Sequence, residues 1–344
     1  MPTQLFLVSV LELGPVTLFL LALIYLDSFK LVTFMSVRFI SVVGAVAFGT
    51  LMGGACYYVS GLAMDAFHAD FLHYSRYIAP VVEESLKATV MIYLISRDRV
   101  GFMIDAAIYG VGIGAGFALF ENVYYYTVFP DANLSIWMVR GLGTAIMHGG
   151  ATAILGVTAL SLSERRAGFN PLNYLPGMIV AISLHAIFNQ FVGYPVLSTA
   201  ATIIILPLAV LFVFDKSEHE AHEWLIHDYE SHEHLLQAIR DGSFAHEEAG
   251  RFITDVTERL GKAHAEDVFE YLRIHTELVL RAEQLLLARE RGEEMPPRPE
   301  DHENFAKIHA LERKVGKTAM LAIWPHLKFS HKELWELHEL EVRS

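Results

Sequence analysis

The ionisable residues that interrupt otherwise apolar runs mark where this sequence can do chemistry. Glu83 and Glu84 open one such run, with Lys87 one turn further on. Glu121 and Asn122 lie late in the next, Arg140 and His148 in a third, and His185 and Asn189 in a fourth. A charged side chain at the centre of a membrane helix costs about 2.5–3.5 kcal/mol on insertion scales, so each one needs a reason. Two histidines and a carboxylate suit zinc and leave a fourth position for water. Glu121, His148 and His185 are the expected set, with a further carboxylate to take a proton from the water, as in metal-assisted amide hydrolysis. Without a metal, a glutamate activates water as general base while a histidine or asparagine stabilises the oxyanion. Both routes end in peptide hydrolysis. The expected cofactor is a divalent metal, zinc first, and a metal-free glutamic mechanism stays open.

Spacing assigns further roles. His185 and Asn189 are four apart and share one helix face, so Asn189 reads as a second ligand or an orienting donor. Lys87 is three residues from Glu84 and four from Glu83, and reads as a charge partner for either. Adjacent residues point about 100° apart on a helix, so only one of the two glutamates faces a site. Glu84 is the marginal choice of base. Blander readings accompany each: acidic groups complement a helix N-terminus, and Asn122 bonds between helices. Arg140 either binds a substrate carbonyl or neutralises a glutamate. Asp105 and Glu12 read as structural or interfacial, and neither is assigned to the site.

The elements that must position these groups follow from composition. The 344 residues are 53% hydrophobic and only 19% charged, with a mean hydropathy of +0.36. An ordinary soluble domain carries about 25% charged residues. An all-α, polytopic membrane bundle is therefore expected. Cys56 is the single cysteine, which excludes an intrachain disulfide and a thiolate zinc cluster. The net charge of −13 argues against nucleic acid as a partner. Stretches near the roughly 20 apolar residues of a membrane helix fall at about 4–26, 38–60, 78–96, 102–128, 134–161, 172–194 and 196–214, giving about seven spans. The first lacks the basic start and small-residue cleavage site of a signal peptide. Lys30, Arg38, Arg97, Arg99, Arg165, Arg166 and Lys216 then share one side, against Arg76 on the other. The positive-inside rule puts the N-terminus outside and the C-terminal tail in the cytoplasm. In that topology Glu83, Glu84, Glu121 and His185 lie in the outer half of the bilayer, with His148 deeper. Agreement in depth points to one shared, water-accessible site. The run from Gly110 to Gly116 reads as close helix packing, seating the 102–128 span against the third and sixth.

Composition changes near Asp215. Before it lie 9 Lys+Arg and 11 Asp+Glu, and from it onward 17 and 28. A membrane domain over 1–214 and an acidic, His-rich cytoplasmic helical domain over 215–344 are expected. Helices are expected at about 216–240, 244–261, 263–292, 301–315 and 317–341, with Val268, Tyr271, Leu272, His275, Leu278 and Val279 as an inward stripe. His219, His222, His227, His232 and His234 cluster locally, and a solvated face is the preferred reading. The tail regulates, docks a cytoplasmic partner or mediates self-association.

The ordered set Glu83-Glu84-x-x-Lys87, Phe117-x-x-x-Glu121-Asn122, Arg140 through His148, and His185-x-x-x-Asn189 resembles the PrsW family of intramembrane proteases. That family is related to the CAAX- and bacteriocin-processing membrane proteases. The resemblance covers residues 78–194, and hydropathy carries it to about 214. It implies an enzyme of a prokaryotic cytoplasmic membrane that cleaves membrane-embedded or membrane-adjacent proteins, anti-sigma factors being the best-known substrate type. It implies either glutamic or metallo-type catalysis. Two other classes remain beside it: a proton-coupled transporter or channel, since buried carboxylates and histidines also build proton relays, and a non-enzymatic sensor acting through the tail.

Overall fold

In the computed structural model, the described residues are 39–344 apart from 69, 130–135, 138, 164–169, 191–193, 261–262, 291–292, 294, 297, 317–319, 321–329 and 344. The expected first span, Lys30, Arg38, Arg165 and Arg166 lie outside them. So do the side chains of Lys216, His219 and His222. All regular structure among the described residues is helical. The helices are α1 Phe39–Phe67, α2 Ala79–Ser96, α3 Met103–Val128, α4 Ala145–Ser163, α5 Leu175–Gln190, α6 Pro195–Asp241, α7 Glu248–Leu260, α8 Ala263–Glu290, α9 Pro299–Val315 and α10 His331–Arg343. The chain divides into two compact units, and the division falls inside α6, between Ser217 and Glu218.

In the first unit α3 is the central element. Its apolar stretch is 83% buried, against 28% for α1 and 22% for Pro171–Gln190. Among the described residues, four helical stretches are long and apolar enough to cross a membrane: Val42–Phe67, Met103–Val128, Val139–Ser163 and Pro171–Gln190. Their outward faces carry exposed large apolar side chains, such as Phe48, Leu51 and Leu62 on α1 and Ile179 and Ile187 on α5. Water disfavours such a face, and bilayer hydrocarbon suits it. Helix α2 has 18 residues and includes Glu83, Glu84 and Lys87. These three charges lower its hydropathy.

The glycines of α3 set how close its neighbours come. A Cβ on Gly114 would run into the backbone of His148 and Gly149 on α4, and one on Gly116 into the backbone of Val46 on α1. Thr50 Oγ1 on α1 donates to Gly116 O at 3.0 Å across that contact. Small residues permit this approach where no hydrophobic force drives helices together. The expected close packing is present, but it seats α3 against α1 and α4 rather than against the third and sixth spans. Asp105 is a cap: its Oδ2 accepts Gly101 N–H at 3.1 Å and Phe102 N–H at 3.0 Å, closing the start of α3.

Two helices begin with a π turn. Tyr74–Ile78 runs into α2, and Val139–Thr144 runs into α4. Such turns shift one carbonyl out of the helical ladder and recur at functional sites.

Helix α6 departs from expectation. No break occurs at Asp215, and the helix continues to Asp241. The sequence from Asp215 to His222 contains neither Gly nor Pro, so nothing stops the helix where the composition changes. The second unit packs α7, α9 and α10 on α8, around Ile253, Tyr271, Leu278, Phe305, Ile308 and Leu340. Of the helix expected over 317–341, the described part is α10.

Gly114→Ala should lower the melting temperature of the full chain in detergent, with overpacking of about 1–3 kcal/mol. Gly61, whose Cβ would meet nothing within 4 Å, is the control, and Gly61→Ala should be neutral or stabilising. Equal melting of the two variants would contradict the close contact.

Candidate active site

The polar groups of the first unit meet around one lysine. Lys87 on α2 is 0% exposed. Its Nζ donates to Glu84 Oε1 at 2.6 Å, one turn earlier on the same helix. It also lies 2.8 Å from His148 Nδ1 on α4 and 5.0 Å from the centre of the Phe117 ring on α3. The same Glu84 oxygen is 2.8 Å from His185 Nδ1 on α5. One ammonium and one carboxylate thus join α2, α4 and α5.

These contacts orient both imidazoles. A carboxylate between Lys87 and His185 is an acceptor, so His185 carries its hydrogen on Nδ1 and turns the Nε2 lone pair outward. Metal-binding histidines are oriented by carboxylates in this way. His148 faces Lys87 Nζ through Nδ1 and Glu121 Oε2, at 3.2 Å, through Nε2. The two rings stand edge to face, 4.8 Å apart at 89°.

Glu83 completes the set. Its Oε2 is 4.0 Å from His148 Nε2 and 3.8 Å from His185 Nε2, and that oxygen is buried without a hydrogen-bond partner among the described residues. One donor atom from each of Glu83, His148 and His185 lies within 4.8 Å of the others. A tetrahedral ion with bonds of about 2.0–2.1 Å separates its donors by roughly 3.3 Å, and two imidazoles with a carboxylate suit a divalent cation such as zinc. The donor chemistry and the orphaned Glu83 oxygen fit a metal. The expected set named Glu121 instead of Glu83. Glu121 Oε2 is engaged by Arg140 Nη2 at 3.3 Å as well as by His148, which draws it to one side.

Arg140 lies in the π turn before α4. Its Nε donates to Asn122 Oδ1 at 3.0 Å, and its guanidinium stacks 3.8 Å from the centre of the Tyr125 ring. Side-chain exposure is graded across the cluster. Glu84, Lys87, His148 and His185 are 0–3% exposed, whereas Glu83 is 12%, Arg140 19% and Glu121 22%. The cluster therefore opens on its Glu83–Glu121–Arg140 side.

Asn189 stands apart from the other expected site residues. Its Nδ2 donates to Ser75 O at 2.8 Å, in the π turn before α2. It shares the His185 face of α5, as its spacing requires, and ties α5 to the element that carries Glu83 and Glu84. Tyr125 and Ser75 were not expected, and Phe117 stood in the motif without a role of its own. Phe117 lies against His148, ring centres 5.2 Å apart. Tyr125 underlies Arg140, and its position one turn after Glu121 was the available signal. Ser75 acts through its backbone carbonyl, for which side-chain identity gives no signal.

Lys87→Met would strand Glu84 as a buried carboxylate and should cost about 3–5 kcal/mol. Lys87→Met with Glu84→Gln should recover much of that. Thermal unfolding of the full chain and both variants in detergent checks this; equal loss in the single and double variants would contradict a neutralising role.

The comparisons agree with this geometry in kind. No curated protein and no solved structure matches the chain. The family described as PrsW family intramembrane metalloprotease matches residues 28–214, more than half of the sequence and the stretch that holds every site residue named above. The chain belongs to the PrsW family and is an intramembrane protease, a peptide hydrolase of the membrane.

Proposed function

We propose that the protein is an endopeptidase of a prokaryotic cytoplasmic membrane that cleaves membrane-embedded or membrane-adjacent proteins, anti-sigma-factor-like chains among them. The observation that carries this reading is the convergence of Glu83 Oε2, His148 Nε2 and His185 Nε2 beside a partly open carboxylate, Glu121. In this reading Glu83, His148 and His185 hold a divalent cation, zinc by donor type. The cation would polarise the scissile carbonyl and acidify water. Glu121 accepts the water's proton and returns it to the leaving amine, as general base and then acid. It is the carboxylate most open to substrate among those of the cluster. Glu84, taken first as the base, is a positioning residue here, because Lys87 and His185 occupy the same oxygen. Arg140 holds Glu121 toward the opening with Asn122 as its brace, and Asn189 fixes α5 to α2.

We place the protease domain over 1–214, with the motif core at 78–194, and a cytoplasmic helical domain over 215–344. Seven spans with the N-terminus outside remain our reading. It is supported by the four long apolar helices, the charged but 18-residue α2, and the shorter apolar stretch Val196–Ala209. The 215–344 segment then offers a surface for a cytoplasmic partner or for self-association.

New protein N-termini in membranes carrying wild type should be absent at equal abundance of Glu83→Gln or His185→Ala. Glu121→Gln should lower turnover by about 10²–10⁴-fold. A zinc-selective chelator should abolish cleavage, and added Zn²⁺ should restore it. Cleavage that survives both His185→Ala and Glu121→Gln would overturn the assignment. Chelator-resistant cleavage lost only with the glutamates would favour the metal-free glutamic route.

A further inference from the structure

Two buried glutamates of the second unit flank one histidine, and a third is buried beside them. Glu283 on α8 is 0% exposed, Glu336 on α10 is 1%, and Glu333, one turn before it, is 8%. His232 on α6 reaches between Glu283 and Glu333. Its Nδ1 is 2.7 Å from Glu283 Oε1, and its Nε2 is 3.8 Å from Glu333 Oε2. Glu333 Oε1 accepts Ser330 N–H at 3.0 Å. Among the described residues, Glu336 has no hydrogen-bond partner at either oxygen, and Glu283 has none at Oε2. Full ionisation would set three buried carboxylates against a single imidazole. A buried carboxylate without a partner takes up a proton rather than stay charged, unless a cation neutralises it.

Protons and metal are the two ways to neutralise the group. The donors of Glu83, His148 and His185 come within reach of one ion, the one such group among the described residues. The donors around His232 do not converge in that way, which favours protons. The charged groups acting on Glu336 come from every side of the seam. Asp228 is on α6, Glu283 on α8, and Glu333 and Lys332 on α10 itself. His232 bonds Glu283, and His275 lies two turns before Glu283 on α8. On α9, Asp301 pairs with Arg281 and His309 with Glu341.

We propose that Glu283 and Glu333, on either side of His232, and Glu336 beside them form a proton-uptake switch that tightens the α6–α8–α10 seam as pH falls. It rests on the fold of the second unit and not on the proteolytic reading.

Burial, with Glu283 and Glu333 beside it, pushes the Glu336 carboxyl well up. Burial also raises Glu283 and Glu333. For His232, burial depresses the imidazole, but the Glu283 bond and the surrounding carboxylates outweigh it and raise the group. A carboxylate raised on folding stabilises the unit at low pH, and that stability is lost as pH rises toward the folded-state value. A raised histidine has the same sign: its contribution is full below its unfolded pKa and is lost as pH rises through the folded one. His275, lowered to about 3 by burial and then by His232, acts oppositely, but only below the ordinary histidine range near pH 6.5. The window from about pH 6.5 to 8 therefore isolates the switch.

Amide hydrogen exchange on the full chain in detergent, read on α8 and α10 peptides and corrected for intrinsic rates, tests this. In wild type the opening equilibrium should rise about tenfold per pH unit for each proton released, between about pH 6.5 and 8. Glu336→Gln should flatten that slope and keep protection at the upper end, and Glu333→Gln supplies the same reading should Glu336→Gln not fold. A flat wild-type profile, or an unchanged slope in the folded variants, would overturn the proposal. A slope abolished by EDTA, or protection restored at high pH by added Zn²⁺ or Mg²⁺, would assign the carboxylates to a metal and overturn it equally.

Discussion

A lysine with no exposure inside an apolar bundle must be neutralised by whatever touches it, and here those contacts hold the site together. Lys87 shares its hydrogens between Glu84 and His148, and Glu84 shares an oxygen with His185. The desolvation of two charges is offset only when such geometry is satisfied. Both imidazoles take their orientation from this pair. His185 presents Nε2 to Glu83, and His148 turns Nε2 toward Glu83 and Glu121. Glu83 faces both Nε2 atoms because its neighbour Glu84 has turned to the lysine.

The backbone contacts of α3 make that pair possible. With glycine at positions 114 and 116, α4 and α1 approach to backbone distance. His148 is itself one of the residues at the Gly114 contact, so the glycine that lets two helices touch also sets the depth of a site histidine. The π turns before α2 and α4 act at the other end. One exposes Ser75 O to Asn189, and the other carries Arg140 beside Glu121 and Asn122. Packing at the centre joins α3 to α1 and α4, and tethers at the margin join α5 to α2 and the start of α4 to α3.

Much of this arrangement is legible in residue types and spacing. Four apolar runs carry polar residues at compatible depths, and helical spacing puts His185 and Asn189 on one face and Lys87 within reach of both glutamates. Spacing does not say which glutamate the lysine takes, because i+3 and i+4 partners are both accessible. The i+3 partner, Glu84, holds it here, which leaves Glu83 for the histidines. The neighbour that draws Glu121 aside, Arg140, sits on another element, beyond any local pattern. Asn189 reaches a carbonyl freed by a π turn, and no periodicity announces such a turn. The composition changes near Asp215 without a helix-breaking residue, and the helix crosses that point unbroken to Asp241.

We propose Glu83, His148 and His185 as the donors that hold the metal, with Glu121 beside them as the proton carrier. Metal content of the purified full chain tests it most directly. Wild type and Glu121→Gln should each retain about one divalent ion per chain, as a three-donor catalytic site does, while Glu83→Gln and His185→Ala should lose it. An ion retained by Glu83→Gln and lost by Glu121→Gln would contradict the assignment, as would active wild-type enzyme free of metal.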